Sequence, residues 1–361
     1  MKKILLGTTA VIALGTLSTE AFAADKIQLG LGGFMRQYVA ISNSDEVATT
    51  TNAARDTGIG QWGNSEVYFS GSTTLDNGLK VSAKVELEAN QSTTASDSID
   101  RSFLTISSDE MGALSMGAMP HASDGLAVRV PNAGNFDWGD TDFFAGSATA
   151  ATAATAAHTI VAGDITGWGD DEIKAKYISP TFNGLSIGVS WGAINTGDTE
   201  DARLVTSGST ESYTGGIAYS SNFDGIGVDA SVNYGSVATN ATQTHIGLSV
   251  STNGFTLGGG YMDINDDRTS PTTSLDGESW ELGVGYVTGP YSFSAAYMTA
   301  SEKATATAGD DEDTKWNLAA TYDMGAGVAL TANYFKSEAD QEGTTAATDV
   351  SGLIAGVEVS F

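Results

Sequence analysis

The sequence predicts an all-β fold, a transmembrane antiparallel β-barrel of about 16 strands. Three observations predict it. Apolar and polar residues alternate almost everywhere after residue 23. Short, turn-like connections alternate with long, acidic ones. No segment after residue 23 approaches the ~18 consecutive apolar residues that mark a spanning helix.

The alternation has a period of two. In 79–90, Lys80, Ser82, Lys84, Glu86 and Glu88 interleave with Val81, Ala83, Val85 and Leu87. In 185–191, Leu185, Ile187, Val189 and Trp191 enclose Ser186, Gly188 and Ser190. Similar patterns recur at 213–219, 228–234, 246–250, 255–261, 280–286, 291–297, 316–322, 328–334 and 353–361. Successive strand side chains point to opposite faces, so each segment has one apolar and one polar face. A barrel this wide cannot fill its interior with side chains. The polar face is therefore expected to line water and the apolar face to meet lipid.

The short connections carry Gly or Asn for tight turns, as in Asp76-Asn77-Gly78, Thr252-Asn253-Gly254 and Thr288-Gly289-Pro290. Others fall at 108–112, 180–184, 221–225 and 323–327. The long ones lie near 42–62, 91–98, 119–170, 194–210, 236–242, 263–277, 301–313 and 338–349. All five Pro fall in connections, as expected where every strand is paired on both sides. Aromatic residues recur near strand ends, including Tyr68, Trp191, Tyr213, Tyr234, Trp280, Trp316 and Tyr334. Interfacial girdles require that placement.

Composition narrows the function classes. The chain has 361 residues, 16 Lys+Arg against 44 Asp+Glu, and a net charge of −28. Such acidity argues against a nucleic-acid partner, because phosphate binding needs clustered Lys and Arg. The absence of Cys excludes a disulfide scaffold and thiolate metal sites. Only His121, His158 and His245 are available for histidine-based catalysis, and none lies beside a nucleophile motif. Residues 1–23 read as a secretory signal peptide: Lys2 and Lys3, an apolar run, then Ala21-Phe22-Ala23. The remaining 24–361 form the barrel domain.

Several motifs resemble the Gram-negative general porins, particularly the α-proteobacterial type. The segment Lys176-Tyr177-Ile178-Ser179-Pro180-Thr181-Phe182-Asn183-Gly184-Leu185 is similar to that family's strand–turn–strand motif. Residues 101–106 and 112–117 resemble its strands before the constriction loop. The terminal Val357-Glu358-Val359-Ser360-Phe361 looks like the signal that the outer-membrane assembly machinery reads, with Phe361 at its end. Many relatives place an Arg after the second of those strands, where this chain has Ala118-Met119. The resemblance implies a passive outer-membrane pore for ions and small hydrophilic solutes. It also implies a homotrimer set among lipid and lipopolysaccharide, and a long loop folded into the barrel.

That loop corresponds to 119–170, and its Asp124, Asp137, Asp140 and Asp142 are expected to face the pore. Its aromatics, Phe136 among them, could pin it to the inner wall. The alternation puts Arg36, Lys84, Arg101, Lys174 and Lys176 on the lumen face, as a basic wall opposite the acidic loop. Alternatively, each cation pairs with a neighbouring carboxylate such as Glu86 or Glu88. The outer loops are acidic, which favours weak cation selectivity and raises the option of Ca2+ there. Asp263-Ile264-Asn265-Asp266-Asp267 begins like a calcium-binding loop, but Arg268 stands where that loop needs Gly. Two alternatives to a general pore stay open. A solute-specific porin would show saturable conductance, and a plugged adhesin or structural barrel would show none.

Overall fold

The computed structural model describes residues 26–44, 57–89, 99–134, 136, 173–194, 210–238, 241–266, 276–303, 310–340 and 348–361. The signal-peptide expectation at 1–23 lies outside the described residues. Among the described residues, sixteen strands and one short helix follow in order. They are β1 (Gly30–Ser44), β2 (Thr57–Thr74), β3 (Lys80–Glu88), β4 (Ile99–Ser108), β5 (Gly112–Ala118) and α1 (Ala122–Leu126). Next come β6 (Ile173–Ile178), β7 (Leu185–Ile194), β8 (Thr210–Phe223), β9 (Ile226–Ala238), β10 (Ala241–Thr252) and β11 (Phe255–Asp266). The last are β12 (Gly277–Thr288), β13 (Tyr291–Lys303), β14 (Asp310–Gly325), β15 (Val328–Asp340) and β16 (Thr348–Ser360).

Each strand pairs antiparallel with its sequence neighbours, and β1 pairs with β16 to close the barrel. Closure leaves no ladder edge, the condition for β-structure in hydrocarbon. The predicted tight turns form. Asn183-Gly184, Asp224-Gly225, Asn253-Gly254 and Ala326-Gly327 all hold two successive residues at positive φ. That geometry matches the twist of the flanking strands.

The alternation reads out as two faces. On β12, Ser279 and Glu281 turn inward and are buried, while Trp280, Leu282 and Val284 are exposed. Trp280, Tyr297 and Trp316 form one outward girdle, with ring centroids 5.2 and 4.6 Å apart. Near the short turns, Phe255 stacks on Tyr286 and Tyr291 on Tyr322 to form a second. Tyr68 departs from the expected girdle. It pairs in register with Glu86 and stands under the Lys84 ammonium, so it faces the lumen. Leu282 lies on the outer face between the girdles, 52% exposed. Leu282→Arg should lower stability by about 2–4 kcal/mol, the cost of a cation at the lipid midplane; urea unfolding in vesicles would measure it.

Strand lengths vary round the barrel. β1 and β2 run further into the predicted 42–62 connection, and the one expected at 236–242 contracts, since β9 ends at Ala238 and β10 starts at Ala241. By contrast, β5 and β6 have only 7 and 6 residues. The chain leaves the wall there at Met119-Pro120, and Pro120 has no amide hydrogen to extend the ladder.

Candidate functional site

The segment after β5 runs around the inside of the barrel as a strap. Lys174 and Lys176 on β6 meet its entry. Their Nζ atoms donate to the carbonyls of Met119 (2.5 Å) and Pro120 (2.7 Å). The short helix α1 then docks on β7 and β8. The Ala122 amide donates to Ser190 Oγ (2.6 Å), and Ser123 Oγ donates to the Gly215 carbonyl (3.3 Å). Further on, the Val128 amide meets Ser231 Oγ on β9, and the Val130 amide meets Glu281 Oε1 on β12. The Ala133 amide meets Ser294 Oγ on β13. Asn317 on β14 donates to the Phe136 carbonyl. Each strap amide named here is satisfied by a wall side chain, as a chain segment without ladder partners requires.

Close approach explains two lumen-facing glycines. A Cβ at Gly247 would stand 1.9 Å from the Val128 carbonyl, and one at Gly188 would stand 2.8 Å from Leu126 Cδ1. Along their strands these glycines and the lumen serines look like any small residues of the polar face. Their role as a seat is set by the strap's path, which strand alternation does not encode.

The wall of β1–β4 carries the charges. Glu86 is 2% exposed and forms ion pairs with both Lys84 and Arg101, the latter at 3.4 Å. Arg101 Nε also lies 3.4 Å from Asp100. Arg36 lies 3.9 Å from Glu358 on β16 and 4.2 Å over the Phe34 ring. The Lys84 ammonium stands 4.5 Å over the Tyr68 ring. Beside this network, carboxylate oxygens of Glu66, Glu88 and Asp100 all lie within 4.8 Å of one another. The wall therefore interleaves both signs; away from the short-turn end, where Lys80 stands, Arg36, Lys84 and Arg101 lie among Glu66, Glu86, Glu88 and Asp100.

A strap folded inside a closed 16-stranded barrel, facing a charged wall, has a counterpart among known families. The Gram-negative porin family matches residues 8–342 of the chain. The chain is a Gram-negative porin. No curated protein matches it in sequence. Among solved structures, the anion-selective porin from Comamonas acidovorans is 17% identical; the match covers 93% of this chain and all of that one, with a TM-score of 0.60. The loop-deletion form of OmpT from Vibrio cholerae is 14% identical over 93% of this chain and all of its own, with a TM-score of 0.62. A mutant of the Rh. blastica porin is 16% identical over 92% and 100%, with a TM-score of 0.54. At these identities the likeness is one of fold.

The porin family and barrel point to a channel of the outer membrane rather than to an enzyme. Its predicted basic residues all stand on the lumen face, but in two groups. Arg36, Lys84 and Arg101 lie on the charged wall, each partly exposed and each beside a carboxylate of that wall or of β16. Lys174 is only 3% exposed, covered by the strap whose Met119 carbonyl it binds, and Lys176 serves the same entry. Asp124 sits in α1 and pairs with Arg129 at 3.1 Å. Asp137, Asp140 and Asp142 lie outside the described residues. Phe361 ends the chain with backbone hydrogen bonds to Gly33 in both directions. The described histidines serve packing. His121 caps α1 by accepting from the Asp124 amide, and His245 lies buried with Nδ1 3.3 Å from Asn233 Nδ2.

Proposed function

We propose that this porin is a cation-preferring general diffusion channel, whose solutes pass between the strap and the β1–β4 wall. One observation carries the preference. On that wall and the adjoining β16, away from the short-turn end where Lys80 stands, Arg36, Lys84 and Arg101 face Glu66, Glu86, Glu88, Asp100 and Glu358, a local excess of negative charge. Charges at a narrow point between low-dielectric walls bias which ion enters. Apolar solutes are slowed because passing such a wall disturbs the hydration of its charges. Passive diffusion of ions and small hydrophilic solutes needs no reaction and no cofactor; Ca2+ binding by the acidic outer loops is an accessory part of this reading.

The channel is reached by export with cleavage of 1–23 and insertion by the outer-membrane assembly machinery through the Phe361 end, among lipid and lipopolysaccharide. The working form is a homotrimer. Supporting this, no described Trp or Tyr on β16 or β1–β5 points outward, whereas Gln37 and Gln61 do. A sector lacking girdle anchors and carrying amides suits protein contact better than lipid.

Reversal potentials in a KCl gradient across a planar bilayer test the selectivity. The wild-type channel should favour K+, and Lys84→Gln with Arg101→Gln should raise that preference about two- to fivefold. An unchanged potential in the double variant would refute the assignment. The rings of Phe34 and Tyr68, with centroids 6.1 Å apart beside Arg36 and Lys84, favour a second reading in which one solute binds this wall. Saturation of the conductance by that solute would distinguish it.

A further inference from the structure

The strap ends at a particular place on the wall. Phe136 is 1% exposed and buried among Tyr38 and Ala40 of β1, Phe335 of β15, and Val350 and Ile354 of β16, with Trp62 of β2 packed against the cluster. Its ring centroid lies 4.7 Å from Tyr38 and 5.4 Å from Trp62. The Phe136 carbonyl accepts from Asn132 Nδ2 (2.8 Å) and Asn317 Nδ2 (2.9 Å). One residue from the middle of the chain therefore holds the first two and the last two strands together.

That position is the seam of the barrel. Every other ladder joins strands adjacent in sequence, whereas β1·β16 joins the two ends, from Phe34↔Ser360 to Ser44↔Val350. Its formation carries the longest loop-closure cost of any pairing in the molecule. The seam is also notched to receive the cluster. A Cβ at Gly356 would stand 2.3 Å from the Tyr38 ring, and one at Gly352 would stand 2.7 Å from the Phe335 ring. These two glycines on the lumen face of β16 let both rings approach the strand closely, in the cluster where Phe136 is buried. Tyr38 also donates from its hydroxyl to Glu358 on β16, a second tie across the same seam.

We propose that Phe136 is both a positioning residue for the constriction and the inner clasp of the barrel seam. Seating of the strap and closure of the barrel are then one cooperative event. A strap that leaves its seat loosens β1·β16, and an open seam gives the strap nothing to dock on.

The test uses the full-length chain reconstituted in lipid, with Phe136→Ala, the milder Phe136→Leu, and Val130→Ala. Val130 anchors the same strap against Ala296 and Met298, away from the seam. Two readouts are taken: single-channel conductance, and amide hydrogen exchange in the β1·β16 ladder with β9·β10 as internal reference. Phe136→Ala should raise conductance and speed exchange about tenfold or more at β1·β16 while leaving β9·β10 unchanged. Phe136→Leu should show the same pattern reduced, and decides the matter if the alanine variant does not assemble. Val130→Ala should alter conductance without loosening the seam. Raised conductance with unchanged seam exchange at Phe136, or equal seam loosening by Val130→Ala, overturns the coupling. Unchanged conductance in both Phe136 variants overturns the positioning role.

Discussion

Neutralising Glu66, Glu88 and Asp100 together, to Gln, Gln and Asn, should lower the cation-to-anion permeability ratio about five- to tenfold. The estimate follows from Coulomb's law: a unit charge contributes about 1 kcal/mol at ~4 Å in water, and proportionally less further away. Three carboxylates at about twice that distance from a passing ion total roughly 1.5 kcal/mol, which screening at 0.1 M about halves; the opposite signs for cation and anion double the difference again, to about 1.4 kcal/mol or close to a tenfold ratio. These three oxygens converge within 4.8 Å, so their fields reinforce at one height of the wall. The effect should shrink as salt rises, because the Debye length falls from about 10 Å at 0.1 M to about 3 Å at 1 M. Reversal potentials at two ionic strengths check both statements. A shift that does not weaken with salt would point to a structural change instead.

Lys174→Met should produce the largest effect on aperture. The ammonium is buried beneath the strap and donates to the Met119 carbonyl at the point where the chain leaves the wall. Methionine keeps the volume and removes the donor. A hydrogen bond to a charged group contributes about 1.5–3 kcal/mol, so its loss should raise the unseated population of the strap roughly ten- to a hundredfold. The expected record is a noisier channel with added higher-conductance levels. Lys176→Met should give the same change in weaker form, since that side chain is only partly buried. A quiet, single-level trace from Lys174→Met would show that the strap entry is held by other means.

The parts of this molecule that were legible in advance are the local ones. Side-chain alternation is a property of a few consecutive residues, so the lumen side of Arg36, Lys84, Arg101, Lys174 and Lys176 could be read directly. Turn chemistry is equally local, which is why Asn253-Gly254 and its equivalents stood out. Alternation could not say which lumen residues are covered. Lys84 and Lys174 look alike along their strands, yet one borders the channel and the other is sealed under the strap. That difference depends on the strap's route along the wall from β6 round to the seam. Tyr68 failed for a related reason: its place near a strand end suggested a girdle, while its parity with Glu86 put it inside. The pairing of each wall cation with a carboxylate was one of two readings left open, and it depends on the register of β3 with β4 and of β1 with β16.

Apart from the seam, where Tyr38 binds the Glu358 that pairs with Arg36, the strap's seat and the charged wall share hardly any residues. Ser190, Ser231, Ser294 and Glu281 hold the strap, while Lys84, Glu86, Asp100 and Arg101 set the potential on the opposite side. Size cut-off and ionic preference therefore occupy separate regions of sequence and can change independently. A lineage, or an engineer, can reverse the charge of β2–β4 without reshaping the opening, and can widen the opening without altering which ion it favours.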